Sequence, residues 1–237
     1  MIFNCKVKKI EASASHIYKV FIKPDKCFDF KAGQYVIVYL NGKNLPFSIA
    51  NCPTCNELLE LHVGGSVKES AIKAISHFIS AFIDQQEFTI DAPHGEAWLR
   101  DESQSPLLLI AGGTGLSYIN SILSCCISKQ FSQPIYLYWG VNNSDLLYAD
   151  QQLKTLVAQY GNINYVPVVE NSNTNWQGKV GNVIDAVIDD FSDLSDLSDF
   201  DIYICGPFGM SQSAKDILIS QKKANIGKIY SDAFNYT

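Results

Sequence analysis

The hydrophobic rhythm of the chain changes once, close to residue 100, and no single layer of secondary structure can follow both patterns. Before that point the stretches 5–11, 17–22, 34–40, 47–50, 58–63 and 87–91 are rich in β-branched and aromatic residues, several of them alternating apolar with polar. Alternation at period two buries one face of a strand and wets the other. Turn chemistry separates these stretches at Pro24-Asp25, Ala32-Gly33, Asn41-Gly42 and Asn51-Cys52-Pro53. Over 68–82 the period lengthens, and Ala71, Ile72, Ile75, Phe78, Ile79 and Phe82 share one helical face. Six strands and one helix predict an N-terminal six-stranded antiparallel β-barrel in residues 1–100.

A polar stretch, Arg100-Asp101-Glu102-Ser103-Gln104-Ser105-Pro106, closes that pattern. The run 106–111 is then continuously apolar, as a strand covered on both faces requires. Helices over 116–127, 146–160, 183–190 and 210–223 alternate with strands over 135–140, 163–169 and 201–205. This alternation predicts a C-terminal α/β Rossmann-like parallel sheet, in a second domain over 106–237. The serine- and aspartate-rich patch from Phe191 to Asp199 reads as a solvated surface loop.

Charge and cysteine content narrow the partners. The chain carries 24 acidic against 18 basic residues, a net charge of −6 that repels phosphate backbones and anionic lipid. Neither nucleic acid nor membrane is expected. No signal-peptide-like segment and no apolar run of membrane-spanning length is present, so a cytoplasmic protein is expected. The seven cysteines are odd in number and lie mostly in apolar segments, which suits reduced thiols. Cys52-Pro53-Thr54-Cys55 has C-x-x-C spacing, but no second ligand pair completes a tetrahedral zinc site, and Pro53 and Asn56 favour a turn. No metal is expected.

Three local features can carry chemistry. Ala111-Gly112-Gly113-Thr114-Gly115 joins a buried strand to a helix, where missing Cβ atoms and unpaired N–H groups suit a phosphate. Its spacing is G-G-x-G, not G-x-G-x-x-G, and a tight strand-to-helix turn explains it equally well. Cys205-Gly206-Pro207 ends another buried strand, and ligands of open α/β sheets bind at such carboxyl ends. In the barrel, Leu45-Pro46-Phe47-Ser48-Ile49 offers an extended backbone, an aromatic face and a small hydroxyl, elements able to hold a planar heterocycle, although by itself the segment reads as a strand with a serine in it.

Pro46-Phe47-Ser48, Pro93-His94-Gly95, Gly112-Gly113-Thr114-Gly115 and Cys205-Gly206-Pro207, in this order, resemble the ferredoxin–NADP reductase superfamily. The likeness spans nearly the whole chain and is greatest to the stand-alone NAD(P)H–flavin reductases of bacterial luminescence operons and enteric bacteria, which the run from His94 to Asp101 and the ending Asp232-Ala233-Phe234 also resemble. The resemblance implies an oxidoreductase that passes a hydride from NADH, or NADPH, to FMN or riboflavin as a dissociable substrate, with luciferase as recipient of the reduced flavin. It implies that Ser48 hydrogen-bonds near flavin N5 and is the catalytic side chain. Pro46, Phe47, Ile49, His62, Val63 and Gly64 would line the flavin site. Gly112, Gly113, Thr114 and Gly115 would underlie the nucleotide, with Cys205, Gly206 and Pro207 beside the nicotinamide, and Phe234 would cover the flavin's other face. The serine strand and the glycine turn are then expected to open onto one cleft.

Two departures from the superfamily bear on the flavin. Leu45 stands where an arginine binds flavin phosphate, which removes a charge-assisted contact. Gly64-Gly65-Ser66-Val67-Lys68 lacks the diphosphate turn of members that hold FAD tightly. Val141-Asn142-Asn143-Ser144-Asp145, where NADPH users place cations for the 2′-phosphate, contains none, so NADH is expected over NADPH. Two other readings remain: an electron-transfer reductase with bound FAD that serves a protein acceptor, and a flavin- or nucleotide-binding regulator on the same fold.

Overall fold

The structure is a computed structural model that describes all residues except 41, 55–56, 65–68, 173–174, 195 and 236–237; of 40, 69–71 and 235 only the backbone is described. The second cysteine of the C-x-x-C pair, Asn41 of one turn, the stretch 65–68 and the start of the helix expected at 68 lie outside the described residues. The chain forms two compact units, residues 1–99 with 120–130 and residues 100–119 with 131–237.

The first unit is built on six antiparallel strands: β1 (Ile2–Ala14), β2 (Ile17–Pro24), β3 (Tyr35–Leu40), β4 (Lys43–Ser48), β5 (Leu59–Gly64) and β6 (Glu87–His94). They pair in the order β4-β3-β6-β1-β2-β5, and a bridge between Ile49 and Leu61 joins the two ends into a barrel. Alternation puts Phe3, Cys5 and Val7 of β1, Val36 and Val38 of β3, and Leu59, Leu61 and Val63 of β5 into one core. Helix α1 (Glu69–Ile83) adds Ala74, Ile75, Phe78 and Ala81, and the Phe78 ring meets Phe47 and Phe88 edge-on.

Strand β4 starts four residues earlier than the expected 47–50. Pro46 argues against a central strand, but β4 is an edge, where a residue without an N–H is tolerated. Its register is complete, with Val38 opposite Leu45, Ile37 opposite Pro46, Val36 opposite Phe47 and Tyr35 opposite Ser48.

The second unit carries a parallel sheet of β7 (Leu107–Gly112), β8 (Ile135–Val141), β9 (Ile163–Val169), β10 (Lys179–Val180), β11 (Asp201–Cys205) and β12 (Ile229–Tyr230), in the order β10-β9-β8-β7-β11-β12. The chain winds outward from β7 through β8 and β9 to β10, then crosses to β11 on the other side, so the switch point lies between β7 and β11. The helices are α2 (Leu116–Ser128), whose residues from Asn120 belong to the first unit, α3 (Asp150–Gln159), α4 (Val183–Asp190) and α5 (Phe208–Lys222). The first unit gains two polar ties from α2, Asn120 Nδ2 donating to Ala50 O and Ser121 Oγ to Asn51 O.

Four sequence expectations differ from this fold. Of the helical face expected over 68–82, Ile75 and Phe78 are buried, but Ile72, Ile79 and Phe82 are exposed and α1 buries Ala74 and Ala81 in their place. Helix α3 begins at Asp150 and not at 146, because a 3₁₀ turn over Ser144–Leu146 and a non-helical Leu147 intervene. The two-residue strands β10 and β12 are too short to leave a periodic signal. The patch 191–199 is anchored: Phe191 and Leu197 are buried, and the buried Lys222 donates from Nζ to the Phe191 carbonyl at 2.6 Å.

Replacing Phe78, fully buried where helix and barrel meet, removes the largest side chain of that contact. Phe78→Ala is expected to cost about 3–5 kcal/mol, and urea unfolding followed by circular dichroism measures it.

Candidate functional site

The barrel's candidate surface starts at β4. Leu45 and Phe47 pack against the barrel core, so pleating turns Pro46 and Ser48 to the opposite face. Ser48 pairs across the ladder with Tyr35, and Tyr35 pairs with His94 of β6. Cross-strand partners share a face, so the register lines up Ser48, Tyr35 and His94 as a polar and aromatic row. The Tyr35 and His94 rings stack at 5.6 Å with 27° between planes, and His94 Nε2 lies 3.1 Å from Asp91 Oδ2. Tyr35 was not legible as a site residue, since only strand register places it beside the serine. Gln34 braces the row from behind: its Nε2 donates to Gly95 O at 3.1 Å, and its carbonyl accepts the Ile49 N–H.

The Ile49–Leu61 bridge brings the end of β4 to β5, next to His62. Ile49 and Val63 are fully buried in the core, so only their backbone groups can face a ligand. His62 lies on the other face of β5 with its ring nitrogen 2.9 Å from Glu60 Oε1, and Lys19 Nζ sits 3.4 Å from the same oxygen. His62 and Lys19 together hold the Glu60 carboxyl below its usual range, against the opposing effect of its own burial. Gly64 has φ +121°, and a Cβ there would come within 1.8 Å of the His16 carbonyl, so only glycine lets the two backbones meet. Phe47 is half-buried, with its ring 5.8 Å from that of Phe78.

In the second unit the two glycine turns meet at the switch point. Ala111 pairs with Cys205 in register, so β7 and β11 end level. A Cβ on Gly115 would lie 2.2 Å from the Cys205 carbonyl oxygen, and one on Gly112 would lie 2.5 Å from Met210 Sδ. Gly206 meets the same methionine, 2.5 Å from Cε. Glycine at 115 is therefore a condition of packing against backbone, which the sequence alone left open, whereas at 112 and 206 the tight neighbour is the end of the flexible Met210 side chain. Gly113 differs, with φ +55° and nothing within 4 Å of its Cβ position. The turn continues through a 3₁₀ segment, Gly113–Gly115, into α2, and no acidic side chain occupies the first turn of that helix. This suits an anion at the helix N-terminus.

The Cys205 thiol is pushed up to about 12 by its burial, reinforced by Asp232, and stays neutral. Pro207 caps α5, and Phe208 beside it is 51% exposed, an aromatic at the carboxyl edge of the sheet that sequence reasoning did not select. Phe234 packs against the second unit's core with Lys215 Nζ 4.6 Å from its ring centroid. Among the described residues no group of three or more His, Cys, Asp or Glu is placed to hold a metal ion, and no helix is long and apolar enough to cross a membrane.

A barrel joined in sequence to a parallel sheet with glycine turns at its switch point defines the class, an NAD-binding oxidoreductase with the ferredoxin reductase fold. Residues 109–216 match the family described as the oxidoreductase NAD-binding domain. The fold is similar to that of the ferredoxin reductase in carbazole 1,9a-dioxygenase, with a TM-score of 0.86 at 20% identity over 99% of this chain and 69% of that one. Within this class the chain is 90% identical to a probable flavin reductase of Photobacterium leiognathi over the full length of both. It is 42% identical, again over the full length of both, to an NAD(P)H-flavin reductase of Vibrio harveyi. The chain belongs to the flavin reductase family.

Gly115→Ala, which drives a methyl group into the Cys205 carbonyl, is expected to destabilise the protein by about 1–3 kcal/mol. Gly161→Ala, with nothing within 4 Å of its Cβ position, is expected to leave stability unchanged. Thermal melting of the two variants beside the wild type makes the comparison.

Proposed function

We propose that this chain is an NAD(P)H-dependent flavin reductase that prefers NADH and takes FMN or riboflavin as a substrate that comes and goes. The observation that carries this reading is the glycine turn at the β7–β11 switch point. There the chain builds a backbone turn at the N-terminus of α2, with a Cβ excluded at Gly115 by the Cys205 carbonyl and open space beside Gly113. Family membership supplies the chemistry, and the level ends of β7 and β11 supply a place for a dinucleotide. The proposed flavin domain is residues 1–100 and the proposed nucleotide domain residues 106–237, of which the segment 120–130 packs with the first unit.

The reaction breaks the nicotinamide C4–H bond, delivers a hydride to flavin N5 and releases the oxidised nucleotide; the protein's task is orientation and exclusion of water. Gly112, Gly113, Thr114 and Gly115 bind the pyrophosphate through backbone N–H groups, and Gly206 and Pro207 border the nicotinamide. Cys205 contributes a neutral sulfur there. Ser48 is the catalytic side chain, offering a hydroxyl at the ring edge as N5 gains electron density. Tyr35 and His94 extend the same face and stack as one block, which makes them further flavin contacts. Pro46 shares that face, while His62, Gly64 and the backbones of Ile49 and Val63 line its border. Phe47 supports the strand from the core side. Phe234 is carried over from the family resemblance alone, as the aromatic for the flavin's other face.

Leu45 leaves the flavin phosphate without a cation at that position, which favours exchange of FMN or riboflavin over permanent retention of FAD. The loop 141–145 has no cation, and the lysines of α3 and β10 are engaged, Lys154 with Asp150 and Lys179 with Asp190. Luciferase, as the consumer of reduced flavin, and a cytoplasmic location complete the proposal.

Purified protein is expected to be colourless and to oxidise NADH only when free FMN or riboflavin is added. A yellow protein with one FAD per chain that reduces a protein acceptor and ignores added flavin overturns the reading. Ser48→Ala is expected to lower kcat by about 10² with little change in flavin affinity, read by NADH absorbance at saturating flavin. An absent charge-assisted hydrogen bond to the 2′-phosphate, worth roughly 1.5–3 kcal/mol, implies a kcat/KM for NADH about ten- to a hundredfold above that for NADPH, and equal values for the two nucleotides contradict it.

A further inference from the structure

The geometry points to Trp139 as a positioning residue for the nucleotide, acting through the Gly113 carbonyl; this rests on the proposed role of the glycine turn. Trp139 lies on β8, opposite Ala111 of β7, and is fully buried. Its indole Nε1–H donates to Gly113 O at 2.8 Å. The indole is itself held, with Tyr148 edge-on to it at 5.1 Å and 83°. A tryptophan buried to this degree needs a partner for its one donor, and the partner here is a carbonyl in the turn.

The consequence follows from peptide planarity. In a trans peptide the C=O and the following N–H point in opposite directions. Fixing the Gly113 carbonyl toward the buried indole therefore aims the Thr114 N–H away from the interior. The next carbonyl is fixed in the same sense: Ser117 Oγ donates to Thr114 O at 3.0 Å, and the Leu116 N–H points at the oxygens of Gly113 and Thr114. With both carbonyls held, the N–H groups of the turn are presented as a preorganised set. Gly113 supplies the left-handed φ that this flip needs, and its Cβ side faces open space. Without the indole donor the Gly113 carbonyl keeps only the shared Leu116 N–H, the 113–114 peptide rotates more readily, and a pyrophosphate then meets a carbonyl for part of the time.

Trp139 touches no reacting atom, so its loss weakens binding of the phosphate part of the nucleotide and spares chemistry at the ring. The test compares Trp139→Phe with the wild type on two reductants, NADH and reduced nicotinamide riboside, which carries no phosphate. The expected result is an increase of about tenfold in KM for NADH. The Ki for ADP-ribose as competitor rises in parallel. The kcat/KM for the riboside and the KM for flavin stay within about twofold. Trp139→His, which keeps a ring N–H donor, is expected to recover part of the loss, and the same comparison runs on it if the phenylalanine variant does not fold. An equal loss on NADH and the riboside, as general damage to the sheet gives, overturns the inference, and so does an unchanged KM for NADH. A wild type that oxidises no NADH with added flavin overturns the functional reading, and this inference with it.

Discussion

The second unit depends on one close approach, the backbone of the turn after β7 against the end of β11. The two strands end level, and no room is left for a Cβ where Gly115 faces the Cys205 carbonyl, while Gly112 and Gly206 pack against the Met210 side chain. The switch point of the sheet lies there because the chain winds away from β7 on one side and returns as β11 on the other. The same turn bares N–H groups at the start of α2, so the close approach at Gly115 and the anion-binding capacity lie in one segment.

The barrel meets a different constraint. Its edges join at the bridge of Ile49 to Leu61, and α1 fills the core with Phe78. A functional face on β4 is available because that strand is an edge with its core-side residues, Leu45 and Phe47, committed inward. Ser48, Tyr35 and His94 then share the other face by register alone. The two units thus prepare their surfaces by unlike means, one by omitting side chains and the other by aligning them.

Much of this was legible in the sequence, and the gaps have physical causes. Strands with alternation or a continuous apolar run, such as β6 and β7, stand out because period reports burial directly. The start of β4 did not, because Pro46 signals a strand interruption unless the strand is known to be an edge. The glycines of the β7 turn were visible as a motif, but whether they serve packing or ligand was undecided until the Cys205 and Met210 distances resolved the packing part. Tyr35 and Trp139 carry no local signal at all, since each gains its meaning from a neighbour on another strand. Lys222 shows the limit most plainly, a charge that reads as solvated surface yet lies buried and pins the 191–199 segment through a carbonyl.

The central claim is that this chain moves a hydride from nicotinamide to a flavin it does not keep. Anaerobic stopped-flow mixing of the protein with NADH and a several-fold excess of riboflavin tests it most directly, with the flavin's visible absorbance as the signal. The account predicts that all the flavin bleaches, many molecules per chain, and that the single-turnover phase slows when the transferred C4 hydrogen is deuterium. Bleaching that stops at one flavin per chain, or a rate indifferent to deuterium at either C4 position, would contradict it.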